Sequence, residues 1–347
     1  LLEDLRIIDN HSGDYKGPGI FIAEGGTAHF KNILVSENSG SWGIIHVYGF
    51  ESGWNETEHP VFENVTISGN VGDGLGAWYS GQASLINCII YDNDGTGIIL
   101  PNTWGNNTIH VSYSNIEGGL AEGTSIGENN TLNWGDGNID VDPRFIDSNG
   151  GNYNLYASSR LINAGDPNII DADNSRSDIG AYPYLTISGP NTWEGPVWYV
   201  DPNGSDINGV GTSVGIPFAS VQAGLNLARD GDTVMVASGE YLENVIWPDA
   251  TYKTGVQLIG EDENTTIING NNVGRVMTIS EVDATSLISG FTLTNGNAPI
   301  GGGLQVSVSD LTVEDLRIID NTSINYAGGV GIAGCSPHFK HVLISGN

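Results

Sequence analysis

Apolar and polar positions alternate along this chain in short runs, and many runs close on a small or acidic residue followed by Asn. The runs read "DLRIIDN" to Asn10, "NILVSEN" to Asn38, "NVTISGN" to Asn70 and "NCIIYDN" to Asn93, with a looser "HVSYSN" to Asn115. They return as "FTLTN" to Asn295, "LRIIDN" to Asn321 and "VLISGN" to Asn347. Subtracting positions gives spacings of 28, 32, 23 and 22, then 26 and 26. Strict alternation predicts half-buried strands, and a period in the twenties is one coil of a β-solenoid. Second short runs open on Gly19, Gly43, Gly95 and Gly301, so each coil holds at least two strands joined by tight turns. The pattern predicts an all-β, right-handed parallel β-helix. Alternate side chains stack inward, and Asn10, Asn38, Asn70, Asn93, Asn295, Asn321 and Asn347 form a turn ladder. Their role is structural.

The coil pattern breaks after about residue 119. Residues 138–184 are loop-rich and Asp-rich with an apolar-aromatic finish, as expected of a C-terminal cap over the last coil. Residues 217–229 contain the best helix signal: Ser220 is a candidate N-cap, and Val221, Leu225 and Ala228 share a face. That helix and the strand "TVMVAS" after it suit an N-terminal cap. The expected order is one β-helix stack with its cap (1–187), a Pro/Gly linker (188–197), then an N-terminal cap and the first coils of a second stack (198–347). A longer repeat supports it. Glu3–Asn10 recurs at Glu314–Asn321, a shift of 311, and His29–Asn38 recurs at His338–Asn347, a shift of 309. The last coils are therefore a diverged copy of the first. The expectation is a chain cut from a tandem array, with both ends inside a domain.

Charge narrows the function classes. Lys+Arg is 11 against Asp+Glu 41, a net charge of -30, which argues against nucleic acid, anionic membrane surfaces and acidic polysaccharides. Gly, at 50 residues, favours turns and close backbone approaches over helices. No apolar run reaches the roughly 20 residues of a membrane span, so direct membrane insertion is not expected. Cys88 and Cys335 lie far apart and are expected free and buried.

Two blocks carry a resemblance. "WYVDPNGSD", "PFASVQAGLNLARDGDTVMVASGEY" and their surroundings resemble the opening of secreted bacterial right-handed parallel β-helix proteins of the pectate-lyase-like superfamily. "GNIDVDPRFID", "NYNLYASSRLINAGDPN" and "DIGAY" resemble the C-terminal block that such proteins carry before surface-anchoring or sorting regions. The resemblance implies the β-helix fold and an extracellular or cell-surface setting. It does not imply one activity, because the superfamily holds lyases, hydrolases, adhesins and structural rods.

No catalytic residues are assigned. The basic residues of the coils are scattered, and Arg6 and Arg317 are repeat copies, as are His29 and His338. His46, His59 and His110 have no carboxylate partner in the sequence pattern. The loop "DADNSRSD" places Asp171, Asp173, Ser175 and Asp178 at spacings that suit oxygen ligands for Ca²⁺, with an Asx-turn loop of solvated carboxylates as the favoured alternative. Of Trp42, Trp54, Trp78 and Trp104, several sit beside Gly and Asn in predicted turns, and they either stack on a glycan or partner or pack loops onto the coil wall. The expected function is an extracellular structural or adhesive rod whose partner is itself, end to end. A polysaccharide-active enzyme and a glycan-binding adhesin are the alternatives.

Overall fold

The computed structural model describes every residue except 14–16, 24–25, 50–58, 103–104, 186–195, 208–210 and 249–252. The chain is built of right-handed parallel β-helix coils, about 12 turns in all, with two short helices among the described residues. Its contacts divide it into two compact units: Leu1–Leu155 with Arg160–Leu185, and Tyr156–Ser159 with Thr186–Asn347.

In the first unit a nine-stranded sheet passes through Leu2–Glu3, His29–Ser36, Val61–Ser68, Gln82–Ile86, Thr108–Ser112 and Thr131–Trp134. A five-stranded sheet stacks Ile20–Ala23, Ile45–Tyr48, Leu75–Trp78, Ile98–Leu100 and Thr124–Ile126. Both are parallel, so each residue faces its counterpart in the next coil: Phe30 opposes Phe62, Ile33 opposes Val65, and Val35 opposes Ile67. These inward rows are buried together with Ile45, Val47, Leu75 and Ala77 from the second sheet. Phe30 and Phe62 stack at 4.8 Å. The long strands turn a corner where Asn32 and Asn64 adopt φ 54°, at the same position as Asp4, Asn87 and Tyr113. Asn and Asp tolerate this left-handed backbone because the short side chain bonds locally. Here Asn32 Nδ2 donates to Asp4 Oδ1 at 3.1 Å, and Asn87 Nδ2 to Asn64 Oδ1 at 3.1 Å.

The Asn ladder is present, with its rungs Asn38, Asn70 and Asn321 buried. Asn38 Oδ1 accepts from the backbone N and Nδ2 of Asn10 at 3.0 and 2.9 Å. Asn70 Oδ1 accepts likewise from Asn38 at 2.9 and 3.0 Å, and Asn93 Oδ1 from Asn70 at 3.2 and 2.8 Å. The left-handed residues are Asp9, Glu37, Gly69 and Asp92, each immediately before a ladder Asn. That turn swings the Asn side chain inward, where it caps backbone carbonyls that the turn leaves open. In the second unit Asn321 donates to Asn347 Oδ1 from N and Nδ2 at 3.0 and 2.9 Å. Asn295 is not a rung. It occupies the left-handed position, φ 54°, and Gly296 takes the rung, its N–H donating to Asn321 Oδ1 at 2.8 Å. A glycine cannot pass the ladder on, so the ladder of this unit begins at Asn321.

The helix signal holds over Val221–Leu227, shorter than 217–229, with Ser220 Oγ accepting from Ala223 N. All seven of its residues are buried. Glu243 accepts from the N–H groups of Val221 and Gln222, and buried Lys253 donates to the carbonyls of Leu225 and Asn226. Opposite charges thus meet opposite helix ends, in the sense the helix dipole favours. A second helix, Gly119–Glu122, is a single turn where the coil pattern breaks.

Residues 138–184 were expected to cover the end of the first stack, but most of that segment lies along its side. Tyr153 Oη donates to Ser68 O, Ala181 N to Thr66 Oγ1, and Gly180 N to Asn87 O. Ser177 Oγ accepts from both Asn64 and Asn87, and the Arg176 guanidinium lies 5.8 Å from the Tyr113 ring centroid. The segment therefore crosses successive coils and buries their outer residues: Leu34, Thr66 and Ile89 are each at most 1% exposed although they point away from the core. A strand covered on both faces does not alternate, which is why "ILV" and "CII" run apolar without a break.

Candidate functional site

The outer faces of the first unit's two sheets differ in chemistry. On the nine-stranded sheet the outward row is ionic and polar. Lys31 lies between Glu3 and Glu63 in register and bonds Glu63 Oε1 at 2.9 Å, which raises the Lys31 pKa. His29 Nε2 is 3.1 Å from Glu63 Oε2, a contact that is close but not aligned as a hydrogen bond. Further along, His59 Nε2 meets Ser84 Oγ at 2.7 Å, stacks on His110 at 5.7 Å, and His110 Nδ1 meets Asn133 Nδ2 at 3.2 Å. A hydroxyl beside an imidazole is half of a nucleophile–base arrangement. The other half is missing among the described residues: His59 Nδ1 is buried with no hydrogen-bond partner to orient the ring. Burial and the neighbouring His110 lower the His59 pKa, which favours a neutral, packed ring.

The five-stranded sheet carries no Asp, Glu, Lys or Arg in any of its strands: they read IFIA, IHVY, LGAW, IIL and TSI. Its outward positions hold Phe21, His46, Tyr48 and Trp78 in the first three coils, beside Ala23 and Gly76, and Ile99 and Ser125 in the last two. Phe21 and His46 are register neighbours and meet edge to face at 5.2 Å; Tyr48 and Trp78 are neighbours in the next outward row. The Trp78 ring folds back over Gly76, where a Cβ would lie 2.1 Å from the ring, and packs on His46 at 4.3 Å. Trp42 stacks on Trp78 at 5.6 Å and 11°, and Tyr48 packs on Tyr79 at 4.8 Å. Trp42 holds φ 75°, a conformation costly for a bulky side chain and one that marks functional or over-determined positions. His46 forms the floor. It is 1% exposed, neither ring nitrogen has a hydrogen-bond partner, and desolvation lowers its pKa to about 4. Phe21 remains 52% exposed.

Of the tryptophans expected to bind a ligand, Trp42 and Trp78 are thus brought together, with Trp78 itself buried. Trp54 and Trp104 lie outside the described residues. The nest owes as much to Phe21, His46 and Tyr48, which the tryptophan pattern did not point to.

The acidic loop is a hydrogen-bonded turn. Asp178 is fully enclosed, and its oxygens accept from the N–H groups of Asn163 and Tyr184 at 2.6 and 2.5 Å. Asp171 Oδ2 accepts from Asp178 N at 3.0 Å, and Asp173 Oδ1 accepts from Ser175 N and Oγ. Burial raises the pKa of Asp178 well above the usual carboxylate range and that of Asp171 to about 6. Carboxylates turned to backbone amides in this way hold the loop shut, and among the described residues no three His, Cys, Asp or Glu side chains converge to hold a metal ion. Of the cysteines, Cys88 is buried and Cys335 partly exposed, both free. Among the described residues no helix is long and apolar enough to cross a membrane.

Compared with protein-family models, curated proteins and solved structures, the chain gives no match.

Proposed function

We propose that this chain is part of an extracellular structural or adhesive rod built from tandem β-helix units, without catalytic activity of its own. The observation that carries the proposal is that one coil pair occurs twice, more than 300 residues apart, on the same hydrogen bonds. Asn10 reaches Asn38 Oδ1 at 3.0 and 2.9 Å, and Asn321 reaches Asn347 Oδ1 at 3.0 and 2.9 Å. Glu3 opposes Lys31 as Glu314 opposes Lys340, and the left-handed corners at Asp4 and Asn32 recur at Asp315 and His341. Duplication that preserves packing and ladder, with no oriented catalytic pair among the described residues, suits an extended scaffold of stacked repeats. The acidic surface suits a soluble extracellular rod, and the resemblance to secreted bacterial β-helix proteins points the same way.

Electron microscopy of surface material from the producing cells tests the proposal. Extended rods with a regular axial repeat are expected; isolated globular particles lacking one would overturn it.

A further inference from the structure

We infer that the N-terminal cap of the second unit is a socket for the β-turn Tyr156–Ser159, and that this plugged turn holds the two units together beside the covalent linker. The inference does not depend on the rod proposal.

Three observations carry it. First, the chain changes unit twice within a few residues. Tyr156–Ser159 belongs by its contacts to the second unit, while Leu155 before it and Arg160 after it belong to the first. The flanks are fixed in the first unit: Leu155 pairs with Phe145, and Leu161 O accepts from Ile179 N at 3.0 Å. Only the turn, closed by Ser159 N donating to Tyr156 O at 2.9 Å, leaves for the second unit. Second, the cap holds the turn by its backbone. Ala157 N donates to Asp206 O at 3.1 Å, and Asn226 Nδ2 donates to Ala157 O at 2.9 Å and to Ser159 O at 2.8 Å. A side-chain amide has two N–H groups, so both of those on Asn226 go to the turn. The Asp206 carboxylate also accepts from Ala219 N, Ser220 N and Ser220 Oγ. Asp206 thus ties the turn to the start of the helix Val221–Leu227, and Asn226 ties it to the end. Third, the fit is closed. Ala157, Ser158 and Ser159 are at most 1% exposed, and all seven helix residues are buried. A short helix lying on one coil ordinarily keeps a polar outer face in water. Here Asn226, a weak helix former, is buried in the helix instead. Burying its amide is costly without partners, and the turn supplies two of them. The occupant of the socket therefore lies upstream of the unit's first strand, Val197–Val200.

A cut between the units tests the inference. A Gly/Ser-flanked site for a sequence-specific protease, inserted after Pro190, lets the folded full chain be severed there. The two fragments are expected to co-elute in size exclusion under native conditions, because one carries the turn and the other the socket. Fragments that separate would overturn the inference. Asn226→Leu keeps the branched shape and removes both donors. It should speed exchange of the severed first fragment for a labelled copy about thirtyfold, as two buried hydrogen bonds imply. Ala157→Asp puts a charge where nothing is exposed and should separate the fragments outright. Asn154→Ala, exposed and just outside the turn, should change neither readout. Co-elution and exchange that Asn226→Leu and Ala157→Asp both leave unchanged, in protein whose circular dichroism is native, would place the hold elsewhere and overturn the inference as well. Hydrogen exchange supplies an independent check. The amides of Val221–Leu227 should be protected in the severed complex and lose protection once the turn is released, while those of Thr266–Asn269 stay protected; a helix equally protected without the turn means that the cap needs no plug, which also overturns the inference.

Discussion

Removing one rung should cost far more in the middle of the ladder than at its edge. In Asn38→Ala five side-chain hydrogen bonds disappear. Oδ1 no longer accepts from Asn10 N and Nδ2, and Nδ2 no longer donates to Ile7 O, Ser36 O and Asn70 Oδ1. Two N–H bonds shared among three acceptors make these worth three to four net bonds. At about 1 kcal/mol each the loss is about 3–4 kcal/mol, and it is not recovered from water because Asn38 is 0% exposed. Asn10 is exposed and its side chain makes only two bonds, to Ile8 O at 3.2 Å and Asn38 Oδ1 at 2.9 Å. Water replaces much of that, so Asn10→Ala should cost about 1 kcal/mol or less. Equilibrium urea unfolding of both variants measures the difference. With a slope of about 3 kcal/mol/M, Asn38→Ala should lower the unfolding midpoint by about 1 M and Asn10→Ala by a third of that or less. Equal midpoints for the two variants would refute the view that the buried ladder, and not strand pairing alone, holds the turns in place.

Further outcomes follow from the same geometry. A thiol reagent should label Cys335 in the folded protein but leave Cys88, which burial pushes up to about 12, unlabelled until urea unfolds the chain; fast labelling of both would contradict the packing. Asp171 has a folded pKa raised to about 6, so its contribution favours the folded state at low pH and is lost as pH rises from about 4 through 6. Asp171→Asn should therefore flatten stability between those values, as measured by melting temperature against pH. His46 acts in the opposite sense. Its folded pKa is depressed to about 4, so its stabilising contribution is present above about 6.5 and fades as pH falls toward 4; its ring resonances should show a neutral imidazole until that pH. Gly76→Ala places a methyl 2.1 Å from the Trp78 ring and should displace it, seen as a red shift of tryptophan emission; unchanged emission would place Trp78 elsewhere.

Much of this architecture is legible in the sequence because a solenoid is local. The period, the alternation and the rungs Asn38, Asn70 and Asn321 follow from runs that repeat. What escapes is one position or one face away. Asn295 ends an apolar run like the true rungs, but register, not run ending, decides which residue faces inward, and Gly296 is the one in line. A second ladder at another corner, Asn107 N and Nδ2 to Asn130 Oδ1 at 3.0 and 2.9 Å, was written as "NNT" at 106–108 and again at 129–131. Neither copy follows an apolar run, so the pattern that marks the other rungs does not mark this one. The side-lying segment was signalled by unbroken "ILV" and "CII", yet nothing local tells which distant residues supply the cover. The aromatic nest is the least legible feature. Phe21, His46 and Trp78 lie on three successive coils, and only the parallel register brings them to one face.

The tandem arrangement is the central claim, and length is its most direct measure. Chains holding two and then three consecutive copies of the 311-residue period should appear in electron micrographs as rods whose contour grows by the same increment per copy, with about 4.8 Å of rise for each coil added. Particles that stay compact, or whose longest dimension does not grow with copy number, would contradict the account.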